Sequence, residues 1–252
     1  MRLPNSRQPI FNIPPVVVAV LVALGLVHAV RELLLPEQLD RVVIWTFAFV
    51  PARYDASAFT DGLLPGGQGA EIWSFLTYAL LHVDLMHLGV NAVWLLAFAS
   101  PLARRFGAWR FLLFFAVTVA AGALAHLLVY AGELSPMIGA SAGVSGTMGA
   151  AARFVFEPGG PLNMWNRPGH NADWVPAAPL AVALRNPRVL AFLAVWFGLN
   201  LLFGLGSAPL LGEDQTVAWD AHVGGFLAGL LLFSSFDPVE RAPAGGGAHT
   251  LP

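Results

Sequence analysis

Apolar residues run along this chain in six long stretches, at residues 16–35, 82–102, 111–130, 140–156, 189–205 and 219–236. A helix of about 20 residues, rising 1.5 Å at each, crosses the roughly 30 Å hydrocarbon layer of a bilayer, so every stretch reaches or approaches spanning length. The pattern predicts an all-α membrane protein with six transmembrane helices and both termini on one side. Between the first two stretches, residues 36–70 form a long outer loop, and its string Trp45-Thr46-Phe47-Ala48-Phe49 suits a half-buried segment in the lipid interface. Residues 157–187 hold Pro, Gly and Asn together with Trp165 and Trp174, and read as a cytoplasmic loop near the headgroups. Residues 1–241 are expected to form a single six-helix domain, and residues 242–252, APAGGGAHTLP, a disordered C-terminal tail.

Composition agrees with the pattern: 57% of the residues are hydrophobic and 11% charged, against roughly 25% charged in an average soluble domain. All thirteen basic residues are arginines. Arg2, Arg7, Arg104, Arg105, Arg110, Arg153, Arg167, Arg185, Arg188 and Arg241 fall on the side of the N-terminus, with Arg31, Arg41 and Arg53 opposite. Positive charge stays in the cytoplasm, so both termini are expected there. The first apolar run carries His28 and Arg31 and lacks a clear small-x-small cleavage site, so it reads as a retained helix rather than a secretory signal. The absence of cysteine excludes disulfides and thiolate chemistry. No run of basic residues suits nucleic acid, and neither a metal nor another cofactor is expected.

Against this apolar background a few polar side chains stand out, because such groups are costly in hydrocarbon unless they act. His82, His87 and Asn91 lie in the second stretch, Ser141 opens the fourth, and His222 lies in the last. His87 and Asn91, four apart, share a helix face on which two donors can meet one oxygen atom. Ser141 follows Pro136 and Gly139 and sits at a helix N-terminus, where free N–H groups and the positive dipole end favour a developing negative charge. Counting back from Arg104, Arg153 and Asp237 places Ser141, His222, His87 and Asn91 at one level, roughly 5 to 12 Å below the outer face.

These strings resemble the rhomboid family of intramembrane serine proteases, over about residues 71–236. EIWSFLTYALLHVDLMHLGVN is similar to the family's approach to its second span, GASAGVSGTMGA to its nucleophile helix and AHVGGFLAGL to its last helix. The resemblance implies a rhomboid-like bundle in which Ser141 is the nucleophile and His222 its general base. It implies that His87 and Asn91 join the Ser141 N–H in an oxyanion hole and that His82 orders water and backbone. Gly139, Gly146, Gly149, Gly225 and Gly229 become close-packing positions, with the last four bringing helices four and six together. The implied substrates are transmembrane segments of other membrane proteins, approaching sideways from the lipid past Trp196, Phe197, Phe203 and residues 207–218. The implied location is multi-pass, in the bacterial cytoplasmic (inner) membrane. Two positions depart from the family's pattern: Ala142 stands where members carry Gly and Ser74 where they carry Arg. The literal G-x-S-G string is Gly143-Val144-Ser145-Gly146, but the glycines five and eight residues downstream of the family's serine match Gly146 and Gly149 only if that serine is Ser141.

Other polar residues receive structural readings. His28 and His126 have no partner at useful spacing, and Asp220 points away from His222 on a helix. Asp84 and Glu71 suit a loop or a helix start, and Met86 and Trp94 suit packing and interface anchoring. Two rivals to a protease are a catalytically inactive relative that binds client transmembrane helices and a transporter with a polar midplane site. The second is disfavoured because carboxylates fall only near the ends of the stretches and no repeated broken helices interrupt them.

Overall fold

The structure, a computed structural model, describes residues 13–55, 64–162, 172–205 and 217–240. Among these residues every regular element is helical apart from one isolated bridge between Phe49 and Met137. The expected tail 242–252, Trp165 and most of 207–218 lie outside the described residues.

Helix α1 (Pro15–Leu34) starts on a proline at its first turn, where the missing N–H costs nothing, and stops before Pro36. It buries Val17, Leu24, His28 and Arg31 on one stripe and leaves Val18, Val22, Leu26, Val30 and Leu33 exposed as a lipid face. The described residues of the stretch read from sequence as an outer loop are largely helical: α2 (Glu37–Phe47) and α3 (Gly67–Thr77) flank a 3-10 turn, Pro51–Tyr54. Residues Ala48 to Ala52 are buried, and Phe49 exchanges two backbone hydrogen bonds with Met137, at 3.0 and 2.8 Å. Interfacial aromatics are therefore confined to the α2 part of the segment, while Phe49 is a core residue packed on Tyr54, Phe75 and His126.

Helix α4 (Leu85–Trp94) passes through a widened π turn, Leu95–Ala99, into α5 (Ser100–Phe106). The wide turn directly precedes Pro101, which has no N–H to give to a regular ladder. Helix α6 (Ala108–Val129) follows after Gly107. Among the described residues four helices are long and apolar enough to cross a membrane: Pro15–Leu34, Leu85–Phe106, Ala108–Val129 and Pro187–Gly204. The last of these lies within α9 (Pro187–Leu205), which follows the short α8 (Leu180–Ala183).

The fourth apolar stretch is shorter than its hydropathy implied. Only α7 (Ser141–Ala151) is helical, and residues 152–156 continue as turns. Here Arg153 is buried and donates to the carbonyls of Leu230 and Ala178, at 3.1 and 2.9 Å, so the chain leaves the helix against neighbouring backbone rather than lipid. Every residue of α7 after Ser141 is buried, as for a helix surrounded on all sides.

Its principal neighbour is α10 (Trp219–Phe236). A Cβ added at Gly225 would overlap the Ala142 carbonyl, one at Gly229 the Gly146 carbonyl, and one at Gly149 the Phe226 carbonyl. The paired positions rise together, so α7 and α10 run parallel with their backbones in contact. Helix α6 completes the trio: Gly122 faces the Ala142 methyl and the Ala221 carbonyl, and Gly224 faces Ala125 and the Ala121 carbonyl.

The cytoplasmic arginines assumed from sequence are partly interior. Arg105 is fully buried, donates to both carboxylate oxygens of Asp237 at 2.7 and 2.9 Å and to the carbonyls of Asp173 and Val175, and lies over Phe154 and Phe233. Arg104 pairs with Asp173. These bonds staple the described part of 157–187 to the bundle, whereas Trp174 is half exposed. Arg31 is also buried, held by Asp40 and the His82 carbonyl.

Gly229→Val places a branched side chain against backbone that cannot yield, so it should cost about 1–3 kcal/mol or more of stability. Thermal unfolding in detergent checks this, with Gly89→Ala as the control, since nothing lies within 4 Å of a Cβ at that position.

Candidate active site

The N-terminal ends of α4, α7 and α10 converge. Asp84 caps α4 by accepting from the His87 N–H at 2.7 Å, which sets the first turn carrying His87. One turn later Asn91 is buried, and its Nδ2 donates to the His87 carbonyl at 3.0 Å. The His82 and His87 rings meet edge to face, 5.0 Å between centroids.

Before Ser141 the backbone is held by several partners. The Gly139 N–H donates to the Tyr78 carbonyl at 3.0 Å, and the Ala140 N–H to His82 Nε2 at 3.5 Å. Tyr78 is itself anchored by its hydroxyl donating to the Val119 carbonyl at 2.8 Å. Gly139 has φ +126°, a conformation that favours glycine. A Cβ there would also lie 2.7 Å from His87 Nε2 and 3.7 Å from Ser141 Oγ. The missing side chain at Gly139 is therefore what lets His87 and Ser141 share one pocket wall. Ser141, His87 and His222 are half-buried, while His82, Asn91 and Ser145 are buried.

His222 stands at the same end of α10 as Ser141 does of α7, because Gly225, one turn beyond it, rests on Ala142. Among the described residues no hydrogen bond joins Ser141 Oγ to His222. Instead His222 Nδ1 meets Asn200 Oδ1 at 2.8 Å, and Asn200 Nδ2 donates to the Trp219 carbonyl at 3.0 Å. No sequence motif singled out Asn200; the available signal was a lone Asn in the apolar run Val195-Trp196-Phe197-Gly198-Leu199-Asn200-Leu201.

Tertiary contacts decide several of the remaining readings. His126 has a partner after all: its Nδ1 lies 2.7 Å from Asp220 Oδ2, a contact between residues 94 apart that no local spacing reveals. It also accounts for Asp220, which faces His126 and not His222. His28 is buried, and its Nδ1 has no hydrogen-bond partner among the described residues, as its spacing suggests. Of the aromatics expected on the access path, Trp196 stacks on Phe226, 4.2 Å between centroids, with Phe197 also against that ring. The ring of α9 that meets the second span is Phe192, 5.9 Å from Phe98. Met86 is 70% exposed.

Both departures from the family pattern are accommodated. Ala142 fits because Gly122 opposite has no side chain. Ser74 is buried, 3.2 Å from the Tyr54 hydroxyl, which donates to the Glu71 carbonyl at 2.8 Å. Burial pushes the Tyr54 phenol up from its ordinary range, so it remains a donor.

The fold is thus a helical membrane bundle with a serine and a histidine at the same end of two glycine-paired helices, beside a second histidine and a buried Asn. The chain belongs to the rhomboid family: the family model described as Rhomboid domain matches residues 69–236. It is similar to Rhomboid-related protein 3 of Homo sapiens, 39% identical over 75 residues, which are 30% of this chain and 18% of that protein. It is also similar to Rhomboid-like protease 3 of Toxoplasma gondii, 27% identical over 180 residues, 71% of this chain and 57% of that protein. In both comparisons the match spans less than two thirds of the relative's length.

Asp84→Ala removes the α4 cap and should cost about 1 kcal/mol of stability. Asp84→Asn, which keeps an acceptor, should unfold in detergent within a few tenths of a kcal/mol of the parent.

Proposed function

We propose that this protein is an intramembrane serine endopeptidase that cuts transmembrane segments of other membrane proteins, with Ser141 as nucleophile and His222 as general base. The observation that carries the reading is the backbone contact between α7 and α10, which sets both residues at the same end of parallel helices, next to His87. In this reading Ser141 Oγ attacks the scissile carbonyl as His222 Nε2 takes its proton, and that proton then passes to the leaving amine. The resulting acyl-enzyme is hydrolysed by water activated through the same histidine. The oxyanion is met by the Ser141 N–H at the α7 N-terminus, by His87 and by the second Nδ2 proton of Asn91. His82, bonded to the Ala140 N–H, keeps the preceding backbone in place. Both termini face the cytoplasm in this proposal, supported by the exposed Arg110, Arg185 and Arg188 at the end of the bundle away from Ser141. The proposed host is the bacterial cytoplasmic membrane.

A fluorophosphonate probe should label the wild type on one serine. Labelling should vanish in Ser141→Ala and persist in Ser145→Ala; the reverse pattern would reassign the nucleophile. His222→Ala should abolish cleavage of a reporter transmembrane substrate while the protein stays folded. His87→Ala or Asn91→Ala should each slow it on the order of 10²-fold. A wild type that binds transmembrane helices without labelling or cleavage would make it an inactive family member.

A further inference from the structure

The geometry points to Asn200 as a positioning residue that fixes the tautomer and ring orientation of His222, making the unit a Ser-His-Asn relay rather than an isolated pair. This inference rests on the protease reading above.

The argument starts with the orientation of an amide. Trp219 offers a carbonyl oxygen, which can only accept, so the atom of Asn200 3.0 Å from it is Nδ2. Oδ1 is then the atom 2.8 Å from His222 Nδ1, and an amide oxygen also only accepts. Nδ1 must therefore be the donor and carry the proton. In the neutral ring this leaves Nε2 with a bare lone pair, the form a general base requires.

The bond is supported by the packing of two helices. Along α9, Trp196, Asn200 and Gly204 lie four residues apart, and they meet Phe226, His222 and Trp219 of α10 in descending order. A Cβ at Gly204 would lie 2.5 Å from the Trp219 Cβ, so the contact is close at that end as well. This antiparallel ladder aims one apolar stripe of α9 at α10 and puts its single amide opposite the histidine. Asn200 is only 8% exposed, and no other described side chain bonds His222. The remaining titratable groups near the ring are Asp220 on its own helix, already bonded to His126, and His87 of α4.

The test uses the full-length chain in detergent, with two readouts: the rate of fluorophosphonate labelling, and kcat and KM for a transmembrane reporter. Asn200→Leu keeps the volume but not the acceptor. It should slow labelling and kcat together, roughly 10²-fold, with KM unchanged; the comparison is the drop of about 10⁴ when the triad carboxylate of a serine protease is replaced and the tautomer is wrong. The small probe needs no lateral access from lipid, so it separates positioning from gating by α9. Asn200→Asp restores an acceptor and should recover most of the labelling. Its acid limb should move to higher pH, because a carboxylate facing Nδ1–H favours the protonated ring. Wild-type labelling by Asn200→Leu, or slowing confined to the transmembrane reporter, overturns the inference. If Asn200→Leu does not stay folded, Asn200→Asp decides: a folded variant with an unmoved acid limb is equally fatal. A wild type that does not label at all overturns the protease reading itself, and this inference with it.

Discussion

The contact on which the rest depends is the one between the backbones of α7 and α10. In lipid there is little hydrophobic force between helices, because the hydrocarbon is as apolar as the side chains it meets, so association relies on dispersion and close approach. Gly225 and Gly229 sit on carbonyls of α7, and Gly149 sits on a carbonyl of α10. Together with Gly122 and Gly224 they hold α6, α7 and α10 at distances that no side chain permits. A rigid trio of this kind keeps a half-buried serine and histidine in register.

Around the trio, polar groups are balanced locally rather than exposed. Arg105 spends its donors on Asp237 and two carbonyls, Arg153 on carbonyls of two segments, and Arg31 on Asp40 and the His82 carbonyl. A buried cation without partners costs far more than the bonds return, so each bond set determines where its neighbouring chain can run. Arg31 is the instructive case: it ties α1 to the backbone of the residue whose ring holds the strap before Ser141. The chain between α2 and α4 acts on that strap as well, through the bridge between Phe49 and Met137 and the bond from Gly139 to Tyr78.

The family membership and the arrangement of helices make the departures at Ala142 and Ser74 informative. A methyl group at 142 is tolerated because α6 presents Gly122 to it, and a serine at 74 joins the Tyr54 hydroxyl and the Glu71 carbonyl in a small polar cluster. Each substitution is compensated by a neighbour on another element. Neither change, read alone, measures the state of the site.

The order of apolar stretches, the lone polar residues inside them and the glycine spacing are all local periodic features, and the amino-acid sequence by itself determined them. From them came the all-α membrane class, the rhomboid resemblance, the helix face shared by His87 and Asn91, and the choice of Gly149, Gly225 and Gly229, which touch backbone, whereas Gly139 faces the His87 ring and Gly146 the Thr118 side chain of α6. Pairings between distant segments have no periodic trace. The bond between His126 and Asp220, the burial of His28, the interior placement of Arg105 and the early end of α7 arose only from tertiary contacts. So did the meeting of Asn200 with His222: an amide in an apolar helix shows that a partner is needed, but which one depends on the rotation and register of α9 against α10, and those are set by ring stacking and a glycine on a different helix.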